Sequence, residues 1–434
     1  MKLTRLTGVL IVLISAGITG CGSSGKSSPG PSARFRAFVS QDVSSTTLIA
    51  GLDVVDASKD RLVRLGVSAG SSPGLMEVSA NKLTTLVFNL SGNSLNVINN
   101  KQESSAGSVT LPDWTESLAI TSDATVAFAA VPNAPVAGQS PGAVEMISLS
   151  STSNETPIPV PAVHYITLSG DNTHLLAFSD SPDAATGRWA VTVITLQNVG
   201  TTSIPNWMVK GVTTVADPGL DHPVWGVYSA DGNTAYIMNC GPECGGTAAS
   251  VAVLDLTQSP PVLVGSPISI PSATYGVRFG TTLYVVGTDP NLAASGTSCA
   301  GSNTAAAACG QLSIIDTAAL QASAPIVITD GYHNRMTLTA DMQLFIGARR
   351  CSDVNIAGGE QRGCLSIYNA QTGTVVIGTD HFDVTGIAPV TGRTEVYVVE
   401  NGELRIWDTT KDALIPAIHQ IDIFGHAVDV KIVD

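Results

Sequence analysis

Eight short apolar strands, each closed by a small polar residue, recur along this chain and constrain its fold more than any other feature. They occupy residues 52–56, 95–99, 144–148, 191–195, 251–255, 312–316, 365–369 and 404–408, and end on Asp56, Asn99, Ser148, Thr195, Asp255, Asp316, Asn369 and Asp408. The polar ends stand 39 to 61 residues apart, about 50 on average, a period that means a ring or stack of supersecondary units. One such unit cannot bury its own apolar faces, so neighbours must cover it. The closing Asp, Asn, Ser or Thr can bond the backbone of a following turn, so each strand is expected to end at one.

Three further strands accompany each copy. A β-rich run precedes it, as at 234–239, 282–286 and 395–399. Before that lies a run such as 225–229, closed by the turn Ala230-Asp231-Gly232-Asn233, and a fourth strand follows, as at 262–270 or 374–378. Four antiparallel strands repeated radially make a propeller blade. Helical periodicity is missing throughout, which excludes a solenoid of helix pairs. The first repeat opens directly at its second strand, 36–40, while 425–433 follow the last complete repeat. That tail is predicted to supply the missing first strand, closing the ring and covering two edges. The expected fold is all-β: a single β-propeller of four-stranded antiparallel blades. There are eight blades, or seven if the weakly marked repeat around 115–160 is irregular.

Tyr228, Asp231, Gly232, Asn233, Tyr236 and Asn239, followed by the apolar strand 251–255, resemble the YVTN-type repeat of lactonase-like β-propellers. The match is clear near Trp225, fair around Tyr284 and Tyr397, and loose elsewhere. It implies a propeller fold far more than an activity, because propellers host many unrelated functions. A lactonase-like hydrolase would need polar groups converging in the channel, with metal help or a general base. The sequence holds no GxSxG elbow, P-loop or HExxH, and we assign no catalytic residue from it.

At the N-terminus, Lys2 and Arg5 precede an apolar core at 9–14, and Ile18-Thr19-Gly20-Cys21 forms a lipobox. This pattern resembles bacterial lipoproteins; the alternative is a plain secretory signal with an incidental cysteine. The expected organisation is a signal peptide at 1–20, a lipidated Cys21 with a Gly/Ser/Pro tether through 33, and the propeller at 34–434. The apolar stretch is shorter than the roughly 20 residues of a comfortable span, so attachment would be through acyl chains such as palmitate on Cys21. No cofactor beyond that lipid is expected. The net charge of −14 argues against nucleic acid as a partner. The expectation is an exported monomer, lipid-anchored at the inner or outer membrane of a bacterial envelope, with its folded part in the periplasm or at the cell surface.

The other six cysteines fall as local pairs: Cys240 with Cys244, Cys299 with Cys309, and Cys351 with Cys364. In an oxidising compartment these read as disulfides; free thiols or a metal site are the alternatives. Antiparallel connectivity places every second-to-third strand loop on one face. Those at 132–142, 180–188, 240–249, 289–310 and 348–363 are long, and all three pairs lie in them or at their edges. Loops of this length usually carry function or are disordered. The candidate binding face comprises Trp114, His164, Asp221, His222, His333, Arg349, Arg350, Asp353, Arg362 and His426. Several histidines at a channel mouth raise a metal centre. However, His164, His222 and His333 lie five, seven and six residues before Ser169, Ser229 and Thr339, so no metal is assigned. The functional expectation is a binding or scaffold module engaging an envelope protein, peptide or glycan. The alternatives are a lactonase-like hydrolase or a metal- or redox-linked periplasmic protein. The tether would join the first blade on the face opposite the long loops, so those loops are expected to point away from the anchoring membrane.

Overall fold

A computed structural model describes residues 35–42, 51–291, 309–351, 354–355, 361–362, 364–377, 383–416 and 418–434. The signal peptide, Cys21, the tether, Cys299, Asp353 and the side chain of Arg362 lie outside the described residues. The chain forms an all-β propeller of eight four-stranded antiparallel blades. Each of the eight apolar anchors is the third strand of a blade. The weakly marked third repeat is regular after all, with strands Leu118–Ile120, Val126–Val131 and Ala143–Ser148 and a fourth strand split into Ser153–Asn154 and Ile158–Pro159. Blade 5 shows the same split: the fourth strand expected across 262–270 is two pieces, Val262–Leu263 and Ile268–Ser269.

The predicted closure is present. His426–Ile432 pairs antiparallel with Arg36–Asp42 and becomes the innermost strand of blade 1. Arg36 then locks the junction: its backbone N–H and Nε donate to Asp434 Oδ2 at 2.8 and 2.7 Å, and Val433 N donates to Arg36 O at 2.9 Å.

Burial explains why the repeat shows in the sequence. Second and third strands are covered on both faces by neighbouring blades, so they read as continuous apolar runs rather than alternations. Val126–Val131 is buried at every position. The outer strand Trp207–Ala216 faces solvent on one side and alternates half-buried with exposed, as a one-sided strand must. The apolar core is divided into eight clusters among the described residues. Each lies between two adjacent blades. One joins blade 8 to blade 1 through Tyr397, Val399, Ala37 and Val39, so the ring is packed shut as well as hydrogen-bonded shut.

Short turns follow a local rule on one face. Ser169, Ser229 and Thr339 donate their hydroxyls to Asp171, Asp231 and Asp341 two residues on, at 2.6, 2.6 and 2.5 Å. The next residue takes the left-handed conformation, whether Asn172, Gly232 or Met342. Third strands end as expected at Asp56, Asp255, Asp316, Asn369 and Asp408, which each accept a backbone N–H two residues on, whereas the blade 4 strand runs past Thr195 to Asn198. The long loops gather on the opposite face.

Candidate functional site

The channel is built by one register. Tyr165, Trp225, Tyr275, Arg335, Gly386 and Asp429 each sit on a first strand opposite the fifth residue of the next strand, namely Phe178, Met238, Val286, Gly347, Val399 and Ser40. They therefore form a layer around the axis. In blades 4, 5, 7 and 8 the register slips just before this layer, leaving His164, Val224, Asn334 and Thr385 as extra residues. A β-bulge re-aims the side chain it carries. This is why the histidine spacings disagreed: His164 is a bulge residue, whereas His222 precedes its strand and His333 lies within one.

A cavity of about 440 Å³ occupies the channel. Its wall includes Trp114, Tyr165, Trp225, Tyr275 and Tyr332, with Glu116, Arg335 and Arg349 among the charged groups and Glu77, Asp429 and Lys431 towards the short-turn face. The aromatic rings form a continuous arc. Tyr165 meets Trp225 edge-on at 6.3 Å between centroids, and Trp225 stacks on Tyr275 at 4.5 Å. The Trp225 indole N–H donates to Gly276 O at 3.2 Å, which satisfies the ring's one polar atom.

A polar network lies across the mouth on the loop-bearing face. His164 Nδ1 donates to Glu116 Oε1 at 2.9 Å, and its Nε2 stands 3.0 Å from Asp180 Oδ2. Trp114 meets the His164 ring edge-on at 5.5 Å. Glu116 is also a hydrogen-bond partner of Tyr165, whose hydroxyl lies 2.7 Å from that of Tyr332. The electrostatics follow from this arrangement. The hydrogen bond to Glu116, helped by the charge of Asp180, holds His164 above its ordinary pKa against the opposing pull of burial. For Glu116, burial is the largest single influence and acts upward, but His164, Tyr165 and the Arg349 charge together bring it below the usual carboxylate value. Burial raises Asp180 despite His164 and pushes Tyr332 up to about 12.

The remaining candidates separate by role. Asp221 is a loop anchor: its Oδ2 accepts from Thr247 N, Thr247 Oγ1 and Ala248 N at 2.7 to 2.8 Å, and its Oδ1 bonds His222 Nδ1 at 2.7 Å. Burial would raise its pKa, but these donors hold it at about 2. His222 packs on Trp189 at 3.8 Å, and neither Asp221 nor His222 lines the cavity. His333 is buried and lowered to about 4 by that burial; its Nε2 bonds Thr329 O at 3.0 Å, and its buried Nδ1 has no partner among the described residues. Arg349 lines the cavity, whereas Arg350 is exposed and donates its backbone N–H to Asp383 at 2.7 Å. His426 opens the closing strand and is exposed away from the cavity wall. Disulfides join Cys240 to Cys244 and Cys351 to Cys364. The candidate set left out Glu116, Asp180, Trp225, Tyr275 and Arg335. A signal existed for part of this: Tyr165, Trp225 and Arg335 all stand four residues before the Ser169, Ser229 and Thr339 turn residues. Glu116 and Asp180 lie in connections without a fixed register and gave none.

No protein-family model matches the chain, and no curated protein matches it in sequence. Among solved structures it is similar to dihydro-heme d1 dehydrogenase NirN in complex with DHE, with a TM-score of 0.57 and 11% identity over 91% of this chain and 74% of that one. It is also similar to hydrazine synthase of Kuenenia stuttgartiensis, with a TM-score of 0.53 and 16% identity over 78% of this chain and 95% of that one. The periplasmic gluconolactonase PpgL of Pseudomonas aeruginosa aligns over 92% of this chain and 99% of its own, at 13% identity and a TM-score of 0.49, a likeness too slight to argue from. At these identities the likeness establishes the β-propeller fold and leaves the activity open.

Proposed function

We propose that this chain is a lipid-anchored binding module of the bacterial cell envelope, which receives its ligand at the loop-bearing mouth of the channel. The observation that carries the reading is the aromatic arc of Tyr165, Trp225 and Tyr275 along a cavity of about 440 Å³. Binding sites are concave, mostly apolar and aromatic, with a few placed polar groups, and span roughly 300–1,000 Å³. The stapled loops support the same role, since a constrained loop loses less entropy when a ligand orders it. Hydrolysis has less to rest on. A general base must have a nitrogen or oxygen open to the reacting proton, yet His164 is engaged at both ring nitrogens, Asp221 is consumed by its loop, and the Nδ1 of His333 is buried. The lipid anchor on Cys21 keeps the module at a membrane, where the partner would be an envelope glycan, a peptide or a small molecule.

The test is a thermal-shift screen of envelope glycan fragments, peptides and small metabolites against the purified propeller and its Trp225→Ala variant. Compounds that stabilise the first and not the second are expected. A screen in which every stabilising compound acts equally on both would overturn the proposed site.

A further inference from the structure

The charges lining the cavity are unevenly satisfied. Among its carboxylates, Glu116 is held by His164, and Asp429 accepts backbone N–H groups from Met76 and Val430 at 3.0 and 2.9 Å. Lys431 Nζ lies 3.9 Å from Glu77 and 3.8 Å from Asp429. Among its cations one stands apart. Arg335 uses Nε on Thr385 O and one terminal nitrogen on Asn334 O, at 3.1 and 2.9 Å. Among the described residues Arg349 has no hydrogen-bond or ion-pair partner, and its Nε is a buried donor left unsatisfied.

Burying a guanidinium that no acceptor meets is unfavourable, because its donors give up water while the charges of Asp383 and Glu116 act on it only at a distance. Burial and the nearby Arg335 charge lower its proton affinity over the opposing pull of those carboxylates. A ligand that supplies an acceptor would remove this penalty on binding. Guanidinium presents donors in a fixed planar fork, and a carboxylate matches it with two parallel bonds. Beside Arg349, Trp225 and Tyr275 offer an aromatic face for a ring on the same ligand.

Resting on the binding role proposed above, we infer that the cavity takes a small carboxylate carried on a six-membered ring, its carboxylate on Arg349 and its ring face against Trp225 and Tyr275. An aromatic acid and a uronic acid share this chemistry. The probes are benzoate with its neutral counterpart benzamide, and glucuronate with its neutral counterpart glucose, titrated into the purified protein by ligand-observed NMR and calorimetry. A charge-assisted bidentate pair predicts that at least one acid binds about tenfold or more tightly than its neutral partner. Arg349→Gln should abolish that preference. Arg349→Lys, which keeps the charge and loses the fork, should restore only part of it. The arm that shows the preference identifies the ring.

No preference in either pair, or a preference unchanged in Arg349→Gln, overturns the inference. If neutral ligands still bind and lose affinity in Trp225→Ala, the binding role stands and the carboxylate assignment alone falls. If none of the four probes binds to the wild-type cavity, the carboxylate assignment falls with them, and the thermal-shift screen decides the binding role separately.

Discussion

The hydroxyls of Tyr165 and Tyr332 lie 2.7 Å apart although the two residues belong to blades 4 and 7. Two blades stand between them along the ring, so the pair spans the channel instead of joining neighbours. Tyr332→Phe keeps the ring and removes the bond. Its expected cost is modest, about 0.5–1.5 kcal/mol in urea unfolding, since the Tyr165 hydroxyl retains Glu116. A much larger loss would mean that the phenol pair holds the ring of blades together, not merely the channel mouth.

Ring closure concentrates in Arg36. Its guanidinium and backbone bind Asp434, and one terminal nitrogen also reaches Asn100 O at 2.8 Å and Glu103 at 3.1 Å in blade 2. One side chain thus ties the closing strand to two blades. Both partners of the Arg36–Asp434 pair are largely shielded, so the pair should exceed a surface salt bridge in strength. Arg36→Ala is expected to lower unfolding free energy by about 1–3 kcal/mol and to expose the closing strand to hydrogen exchange before the rest of the core. Exchange that stays uniform across the ring would show that apolar packing between blades 8 and 1 closes it alone.

His164 gives the mouth a defined pH response. Its folded pKa is raised above the unfolded value of 6.5, chiefly by Glu116. The stability it contributes is therefore fully present below 6.5 and lost as pH rises through the folded value. Glu116 has the opposite sign: lowered from 4.5, it contributes above that value and loses its contribution as pH falls through the folded pKa. The two windows overlap between about 4.5 and 6.5. The groups facing the imidazole are Glu116, Asp180, Trp114 and Tyr165. His333, lowered to about 4, loses stability as pH falls below 6.5, so a single melting curve mixes both histidines. The difference between wild type and His164→Gln isolates the network. It should be greatest near pH 5 to 6 and shrink as pH rises; a constant difference would rule out a protonated His164.

The parts of this protein that were readable in its sequence are those covered on both sides. Residues 251–255 lie in a third strand packed between blades, so nearly every position must be apolar and the run stands out. The outermost strands have one wet face and little to bury, which is why the break between Leu263 and Ile268 left no signature. The site divides along the same line. Trp114, His164 and His333 were found because they gather ahead of first strands at the channel mouth, and Arg349 because it enters a stapled loop. Asp221 and His222 share those residue types but serve a loop. What distinguishes the two groups is the bulge register and the partners across blades, and neither is a property of one segment.

The two described disulfides should contribute unequally, and the reason is loop length. Cys240 and Cys244 are separated by 4 residues, Cys351 and Cys364 by 13. In the chain-entropy account the stabilisation grows with the logarithm of the closed loop, which favours the longer by about 1 kcal/mol. The shorter loop has a second restraint in Asp221, bonded to Thr247 and Ala248, so losing its bridge leaves it partly held. Cys351 lies two residues beyond Arg349 in a strand end that the bridge fixes against Cys364. Replacing Cys351 and Cys364 by serine is therefore expected to lower the urea midpoint more than replacing Cys240 and Cys244, and to weaken ligand binding at the cavity as well. Non-reducing peptide mapping of the same samples should also find the Cys299–Cys309 bridge expected from spacing. If the shorter pair proves the more stabilising, the entropy of the unfolded loops does not govern these staples, and their native contacts do.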